Sequence, residues 1–219
     1  FFNVTLWQVL MLYGVSMLGG GRAAVLGYTM PVWAVMVASI MGFEKITYSS
    51  FLALCLGVFG VISLTVGIDF FSNWIGVLVM LMAGLSWGIG TMILKYGGLN
   101  FNAFVIAGWQ QLIGILPIIP FAILWDFNNI GNPDYRHFLV LLFAIFFSSA
   151  YTYWAYFVVL QNFTVTVTSI SVMMVPVLAL LIDAMYLGIK FSYYDLIALL
   201  MIVMSIFIAA TKPFDKKNK

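Results

Sequence analysis

Apolar runs of roughly 17–25 residues, long enough to cross the ~30 Å hydrocarbon core of a bilayer as helix, recur along nearly the whole chain. Short polar or Gly/Pro-containing breaks separate them. Eight spans are read, at about 2–18, 22–42, 49–67, 74–95, 102–125, 137–160, 164–187 and 193–211. The runs are continuous instead of alternating over ~10 residues, so the pattern predicts spanning helices and not the strands of a barrel. Thr47 and Ser192 stand where N-caps of the third and eighth spans belong.

The pattern also repeats. Gly21–Glu44 has a degraded copy at Val167–Lys190, and an offset of 145 lays Pro31 on Pro176, Val32 on Val177, Lys45 on Lys190 and Thr47 on Ser192. The offset matches spans 1, 2 and 3 with spans 6, 7 and 8, which leaves spans 4 and 5 without partners in the first half. Extrapolated, those partners lie upstream of Phe1. The expected fold class is therefore all-α: a polytopic transmembrane helical bundle of inverted five-helix repeats, with eight spans in this chain and ten in the intact protein. Five is odd, so consecutive copies cross the membrane in opposite senses, as in many secondary transporters. Residues 1–67 are expected to hold the last three spans of the first repeat, 73–211 the complete second repeat, and 212–219 a basic cytosolic tail.

Composition narrows the class. Of 219 residues, 64% are hydrophobic and only 7% charged, too few charges to cover a water-soluble surface, and mean hydropathy is +1.13. The net charge of +2 does not point to nucleic acid. With the lysine-rich C-terminus inside, six basic residues fall inside against three outside, the bias that the positive-inside rule prefers. Cys55 is the only cysteine, so neither an internal disulfide nor a cysteine metal site is expected. No signal-peptide pattern is seen.

The run GRAAVLGYTMPVWAVMVASIMGFEKIT (21–47), with small residues leading into a Tyr-x-x-Pro kink and a Glu-containing break, resembles the fourth helix of EamA-type members of the drug/metabolite transporter superfamily. AGLSWGIGTMILKYG (83–97) is similar to the first helix of that family's second repeat, and NAFVIAGWQQLIGILPIIPFAIL (102–124) to the next. The resemblance covers essentially the whole chain. It implies ten helices, cytoplasmic termini and a central substrate cavity, and hence that this chain lacks the family's first two helices. The family's Gly-Glu pair is present as Gly42-Phe43-Glu44 but becomes Gly188-Ile189 in the second half, where the acid is gone. The motifs mark the superfamily and not a substrate.

Several residues could line a transport site. Pro31 and Pro176 remove an amide donor from mid-helix, and kinked backbone at the midplane is where transporters place substrates, although prolines also simply bend helices. Helical spacing puts Ser169, Met173, Pro176 and Asp183 on one stripe and Ala24, Tyr28, Pro31 and Ala38 on its counterpart. Ser149, Tyr153 and Tyr156 share a stripe of span 6, with Tyr153 falling on Gln8 in the repeat alignment. Gly84 and Gly88 favour close packing, while Trp87 and Thr91 on the adjacent stripe suit a cavity wall. Gln110 either binds a ligand or bonds a neighbouring helix. Asp183 is the one carboxylate well inside a span: a proton site, a partner for a substrate ammonium, or a group reaching water. The candidate substrate-binding set is thus Gln8, Tyr28, Pro31, Trp87, Thr91, Gln110, Ser149, Tyr153, Met173 and Pro176.

Catalysis is not expected. His137 is the only histidine and lies in a polar loop, and no nucleophile elbow or Asp-rich repeat occurs. No metal or cofactor is expected. The reading is a carrier of small neutral or zwitterionic metabolites such as amino acids, exporting them by alternating access across the plasma (inner) membrane. Its partners are the small-molecule substrate and the lipid bilayer, with a homodimer among the options. A lipid or lipid-linked-sugar flippase, or a non-transporting assembly subunit, are the alternatives.

Overall fold

The computed structural model describes residues 1–63, 73–98, 101–126, 133–175, 178, 182, 185 and 193–210. Those residues are almost entirely helical. α1 is Phe2–Leu18, π-wound over Phe2–Leu6. α2 (Gly20–Gly27), α3 (Met30–Ile40), α4 (Tyr48–Ser63), α5 (Trp74–Tyr96) and α6 (Ala103–Ile115) follow. α7 (Ile118–Phe121) continues as a π-wound segment, Ala122–Asp126. α8 (Tyr135–Asn162) is π-wound over Ala144–Tyr151. α9 is Val165–Val172 and α10 is Tyr193–Ala210.

By length and apolar composition, α5 and α8 can each cross a membrane alone. Ala103–Ile115 with Ile118–Leu124 forms one further span if its 40° bend is taken as internal. Pro117 sits at that bend and supplies no amide to the helix ladder. Phe2–Leu18, Met30–Ile40, Tyr48–Ser63 and Leu196–Ile208 are apolar but shorter. Many large apolar side chains point outward, among them Leu139, Phe143, Phe146, Leu200 and Phe207, a surface suited to lipid instead of water.

The second predicted span departs from a simple kinked helix. It is interrupted at Tyr28 and Thr29, and Pro31 lies in the first turn of α3, buried, where a missing N–H leaves no intrahelical bond unmade. The Thr29 hydroxyl donates to the Leu26 carbonyl at 2.7 Å, satisfying part of the break. His137 likewise belongs to a helix and not a loop. It completes a capping box with Asp134 at the start of α8, its Nδ1 accepting from the Asp134 amide at 3.1 Å.

α5 is the hub, packed by α1, α2, α3 and α9. Its start is fixed by Asn73, whose Oδ1 accepts from the Gly76 amide at 3.1 Å and whose Nδ2 donates to the Met17 carbonyl at 3.0 Å. Its glycines set the approach of the neighbours. A Cβ on Gly76 would lie 2.8 Å from Leu18, one on Gly84 2.9 Å from Trp33, and one on Gly88 2.9 Å from the Ala34 backbone nitrogen. Close packing of Gly84 and Gly88 is thus what the structure shows. One buried cluster joins α3, α5, α6, α8 and α9 through Ala34, Ala38, Met92, Ile106, Phe157, Leu160 and Val165. Two more lie along α4 and α10, around Ala53, Leu54 and Ile170, and around Val61, Met173 and Ile202.

Candidate substrate site

The π-wound start of α1 crosses α5 at Gly90, where a Cβ would overlap the Asn3 amide oxygen; only glycine leaves room for that side chain. Hydroxyls from other helices hold this segment through its backbone. Ser86 donates to the Phe2 carbonyl at 2.7 Å and Tyr153 to the Asn3 carbonyl at 3.2 Å, while Thr5 donates to the Gly114 carbonyl at 2.6 Å. Asn3 and Thr5 are buried although polar, at 3% and 6% exposure.

Beside it stands an aromatic cluster. Trp87 of α5 meets Trp7 edge-on at 5.4 Å between ring centroids, Tyr156 at 5.6 Å and Tyr153 at 5.9 Å. Phe157 closes the group against both tyrosines, at 6.1 Å and 5.6 Å. These are the tilted and edge-to-face geometries that aromatic quadrupoles favour. The Thr91 and Tyr156 hydroxyls share a bond of 3.1 Å. None of these residues carries a charge.

A cavity of about 460 Å³ opens next to the cluster, lined by Asn3, Gly90, Ile106, Trp109, Gln110 and Ile113 among others. It is mostly apolar, and two of the residues that line it, Asn3 and Gln110, carry buried amide nitrogens, Nδ2 and Nε2, that lack partners. A buried donor left unpaired costs about 1–3 kcal/mol, a cost that an acceptor brought within reach of either nitrogen would remove. The third unpaired buried donor among the described residues, Trp33 Nε1, belongs to the α3–α5 crossing and not to the cavity lining.

Of the sequence candidates, Trp87, Thr91 and Tyr153 come together here, with Gln110 in the adjoining cavity. Tyr28 and Met173 meet elsewhere, in the apolar cluster with Val61 and Ile202, where the Met173 sulfur occupies the space over Gly57. Pro31 is buried at the α2–α3 break, and Gln8 and Ser149 are half-buried in α1 and α8. Pro176 and Asp183 lie outside the described residues. Sequence reasoning passed over Asn3 and Trp7. The available signal was a pair of polar residues, Asn3 and Thr5, set into the start of an apolar run.

The described residues form a helical bundle with a lipid-suited surface and an uncharged, amide-bearing cavity, the features of a membrane protein that handles small solutes. The EamA-like transporter family matches residues 1–66 and 74–211, and the chain belongs to it. It is 26% identical over 202 residues to the uncharacterized transporter YoaV of Bacillus subtilis, covering 90% of this chain and 69% of that protein. It is 25% identical over 221 residues to an uncharacterized transporter of Synechocystis, covering 93% and 67%. A WAT1-related chloroplastic protein of Arabidopsis thaliana is 25% identical over 216 residues, which span 94% of this chain and 52% of that one. A solved crystal structure superposes with a TM-score of 0.80 over 93% of this chain and 71% of its own, at 14% identity, a likeness of fold alone.

Proposed function

We propose that the chain carries a small neutral or zwitterionic metabolite, an amino acid by class, out of the cell through the cavity beside Trp87. The observation that carries this reading is the pair of unpaired amide donors, Asn3 Nδ2 and Gln110 Nε2, at a cavity of about 460 Å³, within the range of small-molecule pockets. The substrate supplies carbonyl or carboxylate oxygens to these donors and lays its apolar part against Ile106, Trp109 and Ile113. Among the described residues no charged side chain lines the cavity, which disfavours a solute with net charge. Transport proceeds by alternating access between two inverted repeats in the plasma membrane, with the C-terminus cytoplasmic.

The test is efflux from cells preloaded with labelled amino acids and nucleosides. Gln110→Leu is expected to raise the half-saturating internal concentration about tenfold, the worth of one hydrogen bond to a ligand, with expression unchanged. Equal efflux from wild type and Gln110→Leu would refute the assignment of the site. One observation favours a second reading: Phe101 and Trp109, which line the cavity, are 60% and 61% exposed, an open apolar rim of the kind a lipid flippase would use. Movement of lipid probes across vesicles, with no solute efflux, would select it.

A further inference from the structure

Gly42-Phe43-Glu44 forms a compact device at one end of the bundle. α3 stops in a Schellman motif: the Gly42 amide donates to Ser39 O and the Phe43 amide to Ala38 O, each at 3.0 Å. Gly42 has φ +76°, a conformation that side-chain-bearing residues adopt at a cost. The turn lays the Phe43 ring flat on Tyr96 at the end of α5, at 4.4 Å and 5°. It also aims Glu44 at the first turn of α9. There the carboxylate accepts from the amides of Val165 (2.6 Å) and Thr166 (3.2 Å), the Thr166 hydroxyl (2.8 Å) and the Tyr96 phenol (2.8 Å).

Lys95, the neighbour of Tyr96, does the reverse. Its ammonium donates to the carbonyls of Leu160, Gln161 (3.2 Å) and Phe163 (2.8 Å) at the end of α8. A carboxylate on a helix N-terminus and an ammonium on a helix C-terminus each meet the favourable pole of the helix dipole. The corner between α8 and α9 is therefore gripped from both sides, by α5 and by the exit of α3. Every tie is a side chain reaching across to another element, and Tyr96 also packs against the buried cluster that holds Met92, Ala38 and Val165.

Taking the chain to be a carrier as above, we propose that Phe43, Glu44, Lys95 and Tyr96 are positioning residues forming a latch, which closes this mouth of the transport path and must release for each turnover. Charge-assisted bonds are roughly twice as strong as neutral ones, and concentrating them on one carboxylate means that neutralising it weakens all of them at once. A mere helix cap would need neither the Phe43–Tyr96 stack nor the Lys95 grip on the preceding helix.

The latch is tested without reference to substrate, by maleimide labelling of purified full chain in nanodiscs. The reporter is Met92→Cys in a Cys55→Ala background. Labelling is expected to be slow with Glu44 present and about tenfold or more faster in Glu44→Gln, whose amide nitrogen cannot accept from α9. Equal rates would overturn the proposal, as would fast labelling with Glu44 intact. If thermal melting shows Glu44→Gln unfolded, Tyr96→Phe takes its place; it keeps the stack, removes one bond, and is expected to speed labelling about threefold. In a second arm, Phe43→Cys with Tyr96→Cys is bridged by a thiol cross-linker that reduction cleaves. Bridging is expected to stop the efflux that the same variant shows before cross-linking and reduction to return it to that level, whereas continued efflux with the bridge in place would refute a moving latch. Absence of efflux from every form, wild type included, would count against the carrier reading and leave the labelling result to judge the latch.

Discussion

Two seams of this molecule use opposite materials. Along α4 the contact is dry: Gly57 admits Met173 from the end of α9, Gly60 admits Ile202 of α10, and the Ser205 hydroxyl donates to the Ala53 carbonyl at 2.5 Å. Where the start of α1 meets α5, α6 and α8, hydroxyls of Thr5, Ser86 and Tyr153 bond backbone carbonyls, and aromatic edges replace methyl groups. In lipid there is little hydrophobic drive between helices, so small residues and shape alone suffice to join two of them. Polar side chains in such a place add little stability that glycine packing does not. Here two amide donors remain unmatched after the helices have met. The first seam leaves no such donor among its described residues, and the second is the one we propose to be completed by a bound solute.

Substitutions that separate the two seams should do so in order of size. Gly60→Leu comes first: even its Cβ would stand 2.8 Å from Ile202, and the overpacking is expected to cost about 3 kcal/mol or more, read as a fallen melting temperature in detergent with efflux lost alongside. Gly90→Ala comes next and behaves differently. Its methyl displaces the Asn3 amide and stands 3.1 Å from the Asn3 backbone nitrogen, so efflux is expected to drop about tenfold while stability falls by about 1–2 kcal/mol. Should both change together, as in Gly60→Leu, the polar seam would be structural only. Tyr153→Phe removes one bond to the Asn3 carbonyl and is expected to cost about 1 kcal/mol in stability, with a several-fold change in half-saturating concentration. Ser205→Ala is the smallest, about 0.5–1 kcal/mol in melting measurements with efflux unaffected, because the dry seam touches no solute.

The helices were readable from apolar run lengths because a chain in lipid must satisfy its backbone internally, which leaves helix as the default. The predicted spans 74–95 and 193–211 correspond to Trp74–Tyr96 and Tyr193–Ala210. Which faces meet was not readable, since nearly every face is apolar and amphipathicity points nowhere. The stripe through Ala24, Tyr28, Pro31 and Ala38 assumed continuous helical phase, and the break at Tyr28–Thr29 resets that phase, sending Tyr28 toward Met173 in the dry seam. Trp87, Thr91, Tyr153 and Gln110 were visible as polar or large aromatic residues inside apolar runs. Asn3 was hidden at the start of a run, where polar residues ordinarily reach water. Glu44 was noticed for its motif, but its partners Val165 and Thr166 are 121 and 122 residues away, a pairing that only the folded chain reveals.

Thermal unfolding of wild type and of Asn3→Leu with Gln110→Leu, in nanodiscs, with and without the amino acid that the wild type exports best, decides whether Asn3 and Gln110 hold the substrate. Replacing unpaired donors with apolar groups should leave the double variant melting at or above the wild type, and only the wild type should gain stability from the solute. Equal stabilisation of both proteins by the solute would contradict the assignment.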